Sequence, residues 1–354
     1  MQSVDFIIVG QGIAGSVLSL KLIENGYSVK VIDDPSLSSS SKVAVGVWNP
    51  IVFKSLTKSW MIDELLPEML KFFKRAEILF KKDLITERHI VKLFSEQQEV
   101  DLWKQKAKGE LKEYLDSNIY RESEYNGVKI PLLGYSKVLR AGNLDLKLFL
   151  DEVRKFLEEK NALLQEKFNH TELKISETIS YKDLTAKNII FAEGYLIRNN
   201  PLFSYVPLKP SKGEVLTIRT EHLDTGIDVI TKNAFLLQVK KDTYRLGATY
   251  NWEDLTEDKT EKALSELGAK MKKFSDADYS VLKHDVGVRP SVIDRRPVLG
   301  NHPSHKNVYV FNGLGTKCVM LAPYFAQKLI DSVKTGEMLP SEVNVSRFNH
   351  FFVN

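Results

Sequence analysis

The hydrophobic pattern opens with a short apolar run, Phe6-Ile7-Ile8-Val9, of the length expected for a strand buried on both faces. The run stops at Gly10. From Ile13 to Ile23 the residues Ile13, Ala14, Val17, Leu18, Leu20, Leu22 and Ile23 then recur mostly on one face at helical spacing. Asn25-Gly26 ends that helix, and residues 28–32 make a second strand closed by Asp33. Further on, a long helical pattern covers 60–82, with Leu65, Leu66, Met69, Leu70, Phe72, Phe73, Ala76 and Phe80 as its apolar side. Pro67 is expected to kink it or delay its start. Residues 90–94 read as a strand and a helix is expected near 97–115, though the pattern gives the region 83–134 no role. Asn143 or Asp145 can cap a helix over 146–160, followed by strands near 163–168 and 173–175. A buried strand from Asn188 runs into Ala192-Glu193-Gly194.

The style changes beyond residue 200. Segments 209–218, 234–240 and 243–250 alternate or carry β-branched and aromatic residues, as antiparallel strands do, and Lys240-Lys241-Asp242 supplies a hairpin turn. Residues 256–274 form an amphipathic helix with acids early and lysines late, as the helix dipole favours. A strand at 308–311 then meets a second glycine turn, Gly313-Leu314-Gly315-Thr316-Lys317-Cys318, with a helix from Val319. The fold class is therefore α/β, α+β overall, with a Rossmann-like domain and a second domain built on a mixed or antiparallel sheet.

Candidate chemistry lies in the glycines. Gly10, Gly12 and Gly15 form Gly-x-Gly-x-x-Gly between a strand and a helix: one glycine for a sharp turn, one for close approach of backbone to a pyrophosphate, one for tight helix-strand packing. The helix N-terminus around Ile13 and Ala14 presents unpaired N–H groups to phosphates. Asp33, with Asp34 beside it, stands where a carboxylate accepts hydrogen bonds from an adenosine ribose. The motif fits NAD or FAD, and the acid argues against NADP. Residues 36–50 read either as a flexible serine-rich loop or as a cofactor lining, with Ser41 and Lys42 near phosphates or ribityl hydroxyls and Ala44 and Gly46 as further cofactor-binding candidates. Gly194 either simply closes a core strand or brings backbone next to a ligand, and the turn at Gly313, Leu314, Gly315 and Thr316 is another place where backbone amides could face an anion.

Composition narrows the class. With 354 residues, 43% hydrophobic and 27% charged, the chain has the make-up of one large or two medium globular domains. A net charge of +4 from 50 basic and 46 acidic residues does not demand nucleic acid. The lysines and Arg75 of the 60–82 helix are expected to face water. The single cysteine, Cys318, cannot form an internal disulfide and fits a reducing compartment. No apolar run reaches membrane-spanning length and the first strand leaves no room for a leader, so a cytoplasmic location with no membrane partner is expected. No metal site is expected.

The motifs VGQGIAG with VIDD, SKVAVGVWNP, FAEG, KGEVLTI, RLGATY, VGVRPSVIDRRPVLG and VFNGLGTKCVMLAP, in that order, give the chain its likeness. It resembles the FAD-dependent D-amino-acid oxidase, glycine oxidase and sarcosine oxidase family, strongly at both ends and weakly between about residues 55 and 130. GLGTKCVMLAP is most similar to the oxidase domain of the bifunctional enzyme that builds 5-methylaminomethyl-2-thiouridine in tRNA. The resemblance implies an FAD domain from segments 1–82, 135–200 and 285–354, with Ala192, Glu193 and Gly194 and the 313–317 turn in its cofactor site, and a substrate domain from 83–134 and 201–284. It also implies an oxidoreductase acting on CH–NH or CH–NH2 groups, passing a hydride from the amine's α-carbon to flavin N5 before the imine hydrolyses.

Arg289 matches the arginine that grips the substrate carboxylate in relatives, a task its planar fork performs and lysine does not; the structural alternative is an arginine paired with an acid at the domain junction. Tyr250 and Lys317 are further pocket candidates, and Arg295 and Arg296 are expected at the surface or between domains. Arg245 stands where some relatives carry a lysine above flavin N5, which leaves the electron acceptor open. Cys318 is not where relatives attach FAD covalently, so the flavin is expected to be non-covalent and Cys318 a small buried residue. The leading expectation is an FAD-dependent oxidoreductase for a carboxylate-bearing amine or amino acid. Alternatives are a stand-alone oxidase of carboxymethylaminomethyl wobble uridine with tRNA as partner, a flavin-binding module without turnover, and an NAD dehydrogenase.

Overall fold

The computed structural model describes residues 2–352; positions 1 and 353–354, the outermost of the expected cofactor segments, lie outside it. The apolar run 6–9 belongs to the strand Gln2–Val9, which pairs in parallel with Val29–Ile32 on one edge and Leu184–Phe191 on the other. Both faces are covered. Phe6 and Ile8 enter one hydrophobic cluster while Ile7 and Val9 enter another, which is why the run is continuously apolar rather than alternating. The sheet continues with Val308–Asn312 beyond Leu184–Phe191 and with Leu163–Leu164 beyond Val29–Ile32. Its order, with parallel strands 2–9, 29–32, 184–191 and 308–312 and helices packed against them, is that of a doubly wound nucleotide-binding sheet.

The helix Ile13–Glu24 packs against Cys318–Thr335 and Leu146–Glu159. Because it is covered on several sides, even Lys21 is buried, with its Nζ 2.8 Å from Glu68 and above the Phe72 ring. The predicted helix at 60–82 spans Ile62–Phe80 and contains Pro67 near its start, where a missing N–H removes only one intrahelical bond. Its Phe73 meets Phe149 edge to face at 5.2 Å.

The second sheet runs in the order 280–289, 211–219, 243–247, 235–240, 229–231, 85–93, 135–144, 47–48. The region without a sequence role is central to it: Ile85–Leu93 pairs in parallel with Val229–Thr231 and antiparallel with Tyr135–Leu144. Residues 135–144, placed from the sequence among the cofactor segments, therefore form a strand of this second sheet. Their pairing along Ile85–Leu93 and with Val47–Trp48 fixes them there. The helix expected near 97–115 ends at Lys108, where Gly109 breaks it, and Leu111, Tyr114 and Leu115 are buried from a turn. The helix expected at 256–274 begins at Glu261, capped by the Thr260 hydroxyl accepting from the Ala263 amide.

The two sheets converge on residues 40–48. The Leu144 amide donates to the Gly46 carbonyl at 3.0 Å, and Gly46 has φ +70° with a virtual Cβ only 2.0 Å from the Leu144 carbonyl oxygen, so only glycine allows this approach. The strand Ser280–Arg289 lies against the short helix Ser40–Val43 and delivers Arg289 to the same region. Among the described residues no helix is long and apolar enough to cross a membrane.

Candidate active site

A cavity of about 540 Å³ opens where the first glycine turn, the 40–48 segment and the second sheet meet. From the turn, Gly10, Gly12, Ile13 and Ala14 line it, while Gly15 does not: its virtual Cβ would stand 1.9 Å from the Gly10 carbonyl oxygen, so it serves the packing of helix onto turn. The helix Ile13–Glu24 has no side-chain cap and no acid in its first turn. The Ile13 amide donates to Ser41 Oγ at 3.1 Å, and the next amides, Ala14 and Gly15, have no acceptor among the described residues. An uncompensated positive helix end with open N–H groups is a site for phosphate.

Asp33 and Asp34 both line the cavity. Asp33 is fixed by two contacts, accepting from the Gln11 amide at 2.8 Å and from the Arg154 guanidinium. Asp34 accepts from the Ser36 hydroxyl and amide, which hold its carboxyl below the usual range. Ser41, Lys42, Ala44 and Gly46 line the cavity as the sequence suggested, but the Lys42 amine is engaged by the Pro35 and Leu37 carbonyls at 2.8 and 2.9 Å and braces its own loop. Ala192, Glu193 and Gly194 also line it, with the Glu193 carboxylate turned toward Asn200 and His170.

The C-terminal turn is only partly in the lining. Leu314, Gly315, Thr316 and Cys318 face the cavity. Gly313 does not; with φ +72° and a virtual Cβ 2.6 Å from Val292, it shapes the bend. Lys317 also points away, its amine donating to the Asn49 carbonyl at 3.4 Å and to the Ser59 hydroxyl. Burial, with no acid partner among the described residues, lowers that amine to about 8. Burial pushes the Cys318 thiol up to about 11, a poor nucleophile at neutral pH.

Arg245 is outside the lining as well. Its guanidinium pairs with Asp285 at 2.6 Å and donates to Thr217 Oγ1 at 2.9 Å and the Val43 carbonyl at 2.8 Å. The position that the resemblance sets above the flavin thus carries a clamp between the second sheet and the 40–43 helix. Arg296 lies 4.2 Å over the Trp60 ring.

Arg289 is half-buried at the cavity. It lines the cavity at the end of its strand and no carboxylate pairs with it among the described residues. The Thr249 carbonyl is 3.5 Å from both terminal nitrogens, the Tyr250 ring is 4.3 Å from the guanidinium carbon, and the fork lies on Gly213. Burial lowers its pKa from the ordinary guanidinium value, yet arginine stays charged in proteins. A half-buried cation that lines a cavity without a carboxylate partner among the described residues is suited to meet an anion. The acid partner weighed as its structural alternative is absent among the described residues.

Sequence reading missed Gly213, Arg154, His170, Phe235, Tyr195 and Trp252, all in or beside this site. Gly213 had a signal, since an isolated glycine inside a strand pattern marks close approach. The others are ordinary residue types that only the fold brings together.

Comparison with known proteins agrees with this geometry. Residues 5–332 match the family described as FAD dependent oxidoreductase. The tRNA 5-methylaminomethyl-2-thiouridine biosynthesis bifunctional protein of Marinobacter nauticus is 23% identical over 92% of this chain and 55% of its own length. The chain thus spans about half the length of the curated relatives it matches. Among solved structures it is similar to glycine oxidase from Geobacillus kaustophilus, with a TM-score of 0.76, 17% identity and 96% of each chain covered. Iminodiacetate oxidase from a Chelativorans species gives 0.75, 18%, and 97% and 98%.

Proposed function

The chain belongs to the FAD dependent oxidoreductase family, and from that premise we propose that it oxidises the C–N bond of an amine or amino acid carrying a carboxylate. The observation that carries the reading is Arg289, a half-buried guanidinium with no acid partner among the described residues, in the same cavity as the first glycine turn. FAD, when bound, supplies the two-electron oxidation. The chain supplies the rest: Gly12, Ala14 and Ser41 receive the pyrophosphate, Asp33 the adenosine ribose, and Arg289 with Tyr250 holds the substrate carboxylate, fixing the amine's orientation. The flavin is held non-covalently, since the cavity's cysteine has its thiol well above neutral pH. Solved relatives named for glycine and iminodiacetate oxidation support a small carboxylate-bearing amine.

The test is anaerobic. Purified holoprotein mixed with glycine, N-methylglycine and iminodiacetate should lose its flavin absorbance near 450 nm with at least one of them. A flavin that none of these, and no other amino acid, bleaches overturns the reading.

A second reading has its own support in the curated relatives, named for a tRNA thiouridine modification, which the chain matches over about half their length. In this reading the carboxylate at Arg289 belongs to a carboxymethylaminomethyl uridine. Nucleoside profiles of tRNA from cells with and without the gene decide it, and an unchanged profile sinks it.

A further inference from the structure

One helix grips the first glycine turn at two points. Leu146–Glu159 follows directly on the second-sheet strand Tyr135–Leu144, with Asp145 between them as its cap. The Asp145 amide donates to the Leu84 carbonyl at 2.7 Å, and its carboxylate accepts from the Leu148 amide at 3.0 Å. Leu150 and Arg154 are one turn apart on the same face of this helix. The Leu150 carbonyl accepts from Gln11 Nε2 at 3.0 Å, and Arg154 donates from Nη2 to Asp33 Oδ2. Gln11 belongs to the glycine turn and is buried, and its own amide donates to Asp33 Oδ1 at 2.8 Å. A helix anchored in the second sheet therefore fixes the turn and the acid together.

Fold stability alone does not account for Arg154. Its Nη1 is buried with no hydrogen-bond partner among the described residues, a loss that an arginine placed only for stability would not carry. Its Nη2 meets Asp33, which lines the cavity, while Arg154 itself stands outside the lining. The two side chains are 17% and 18% exposed, so water and salt screen the pair little. A carboxylate offers about four acceptor sites. Gln11 takes one on Oδ1 and Arg154 one on Oδ2, which leaves each oxygen able to accept from one hydroxyl of a ribose diol. Charge points the same way. Asp34 accepts from Ser36 and forms no ion pair among the described residues, so a pyrophosphate at the glycine turn meets two neighbouring carboxylates, of which Arg154 offsets one.

We infer that Arg154 is a positioning residue for the cofactor, acting through Asp33: it holds the carboxylate with both oxygens open to the adenosine ribose and offsets its charge beside the pyrophosphate. This rests on the assignment of Asp33 to the ribose made above and is independent of which amine is oxidised. Its consequence is that FAD affinity, and the preference for a ribose over a deoxyribose, are set from the helix that leaves the second sheet. No bond is made or broken at this end of the site.

The test reads flavin release from the holoprotein, as free-flavin fluorescence, on titration with ADP or 2′-deoxy-ADP. In the native protein ADP should displace FAD about tenfold better than 2′-deoxy-ADP, the scale of one hydrogen bond to a charged group. Arg154→Met should bring that ratio close to one and raise the FAD dissociation constant about thirtyfold, whereas Arg154→Lys, which keeps a cation, should retain a ratio of about threefold or more. In an Asp33→Asn background Arg154→Met should change the FAD constant by less than about threefold, because the arginine acts through the acid. Arg154→Gln, also uncharged, is read in the same way should the methionine variant fail to fold. A native ratio retained in the uncharged variant overturns the positioning role even where FAD binds less tightly, and so does a loss of about thirtyfold that persists in the Asp33→Asn background. A native ratio near one that Asp33→Asn leaves unchanged overturns the ribose assignment of Asp33 itself, and the role of Arg154 with it.

Discussion

The guanidinium of Arg289 lies directly on Gly213: a Cβ at Gly213 would stand 2.2 Å from Nη2 and 2.3 Å from Nη1. Neighbouring strands bring the two together, Ser211 pairing with Arg289 and Gly213 with Gly287. The φ of Gly213 is not positive, so any residue can adopt its backbone and the constraint is space alone. Gly213→Ala should therefore fold and bind FAD but push the fork out of place. The expected result is a substrate Kd at least tenfold weaker, read from anaerobic flavin titration, with an unchanged visible spectrum.

Arg289 and Arg245 should separate cleanly. Arg289→Ala removes a cation that no protein carboxylate needs, so stability should hold while affinity for a carboxylate substrate falls, by about a hundredfold if the bidentate pair contributes 2–3 kcal/mol. Arg245→Ala leaves Asp285 with only the Lys283 ammonium at 2.8 Å. It should lower stability by about 3 kcal/mol, the lower end for a broken buried pair. Thermal unfolding and substrate titration of both variants check the contrast; equal losses of stability would show that Arg289 is structural.

Much of this site was legible in local sequence because its parts are local. Gly10 to Gly15, Asp33 and the apolar run 6–9 lie within one βαβ unit, where short spacing alone dictates geometry. Arg245 and Lys317 were misplaced for the opposite reason: their side chains reach partners far along the chain, Val43 and Asp285 for one, Asn49 and Ser59 for the other. The strand 135–144 was given to the cofactor segments because no local pattern tells which of two sheets a strand joins; pairing with 85–93 decides that.

Lys317 makes a prediction about pH. Burial lowers its amine from 10.5 to about 8, so between about pH 8 and 10.5 the unfolded chain binds a proton that the folded chain has released. Stability then rises with pH across that window, by at most ~1.4 kcal/mol per pH unit for one group. Below pH 8 both states are protonated and this contribution is flat. In Lys317→Met the rise should vanish. Denaturant unfolding of both proteins at pH 7.5, 8.5 and 9.5 checks it, and the quantity to compare is the difference between them, because other groups also titrate there.

Cys318 offers a chemical reading of the cavity. It is the chain's one cysteine, so any alkylation reports on this position alone. It lines the cavity beside Thr316, and its thiol is raised to about 11 by burial, which leaves roughly a hundredth or less of the thiolate an ordinary cysteine has at pH 8. Iodoacetamide should therefore modify the folded protein at least a hundredfold more slowly than the denatured one. If the cavity is where FAD sits, protein stripped of flavin should react faster than holoprotein, and adding FAD back should restore the protection. Acid precipitation should release the flavin into the supernatant, as a non-covalent cofactor requires. Intact-mass measurement over time follows the alkylation. Equal rates with and without FAD would place the cofactor away from the second glycine turn and undo the assignment of Leu314, Gly315 and Thr316 to its site.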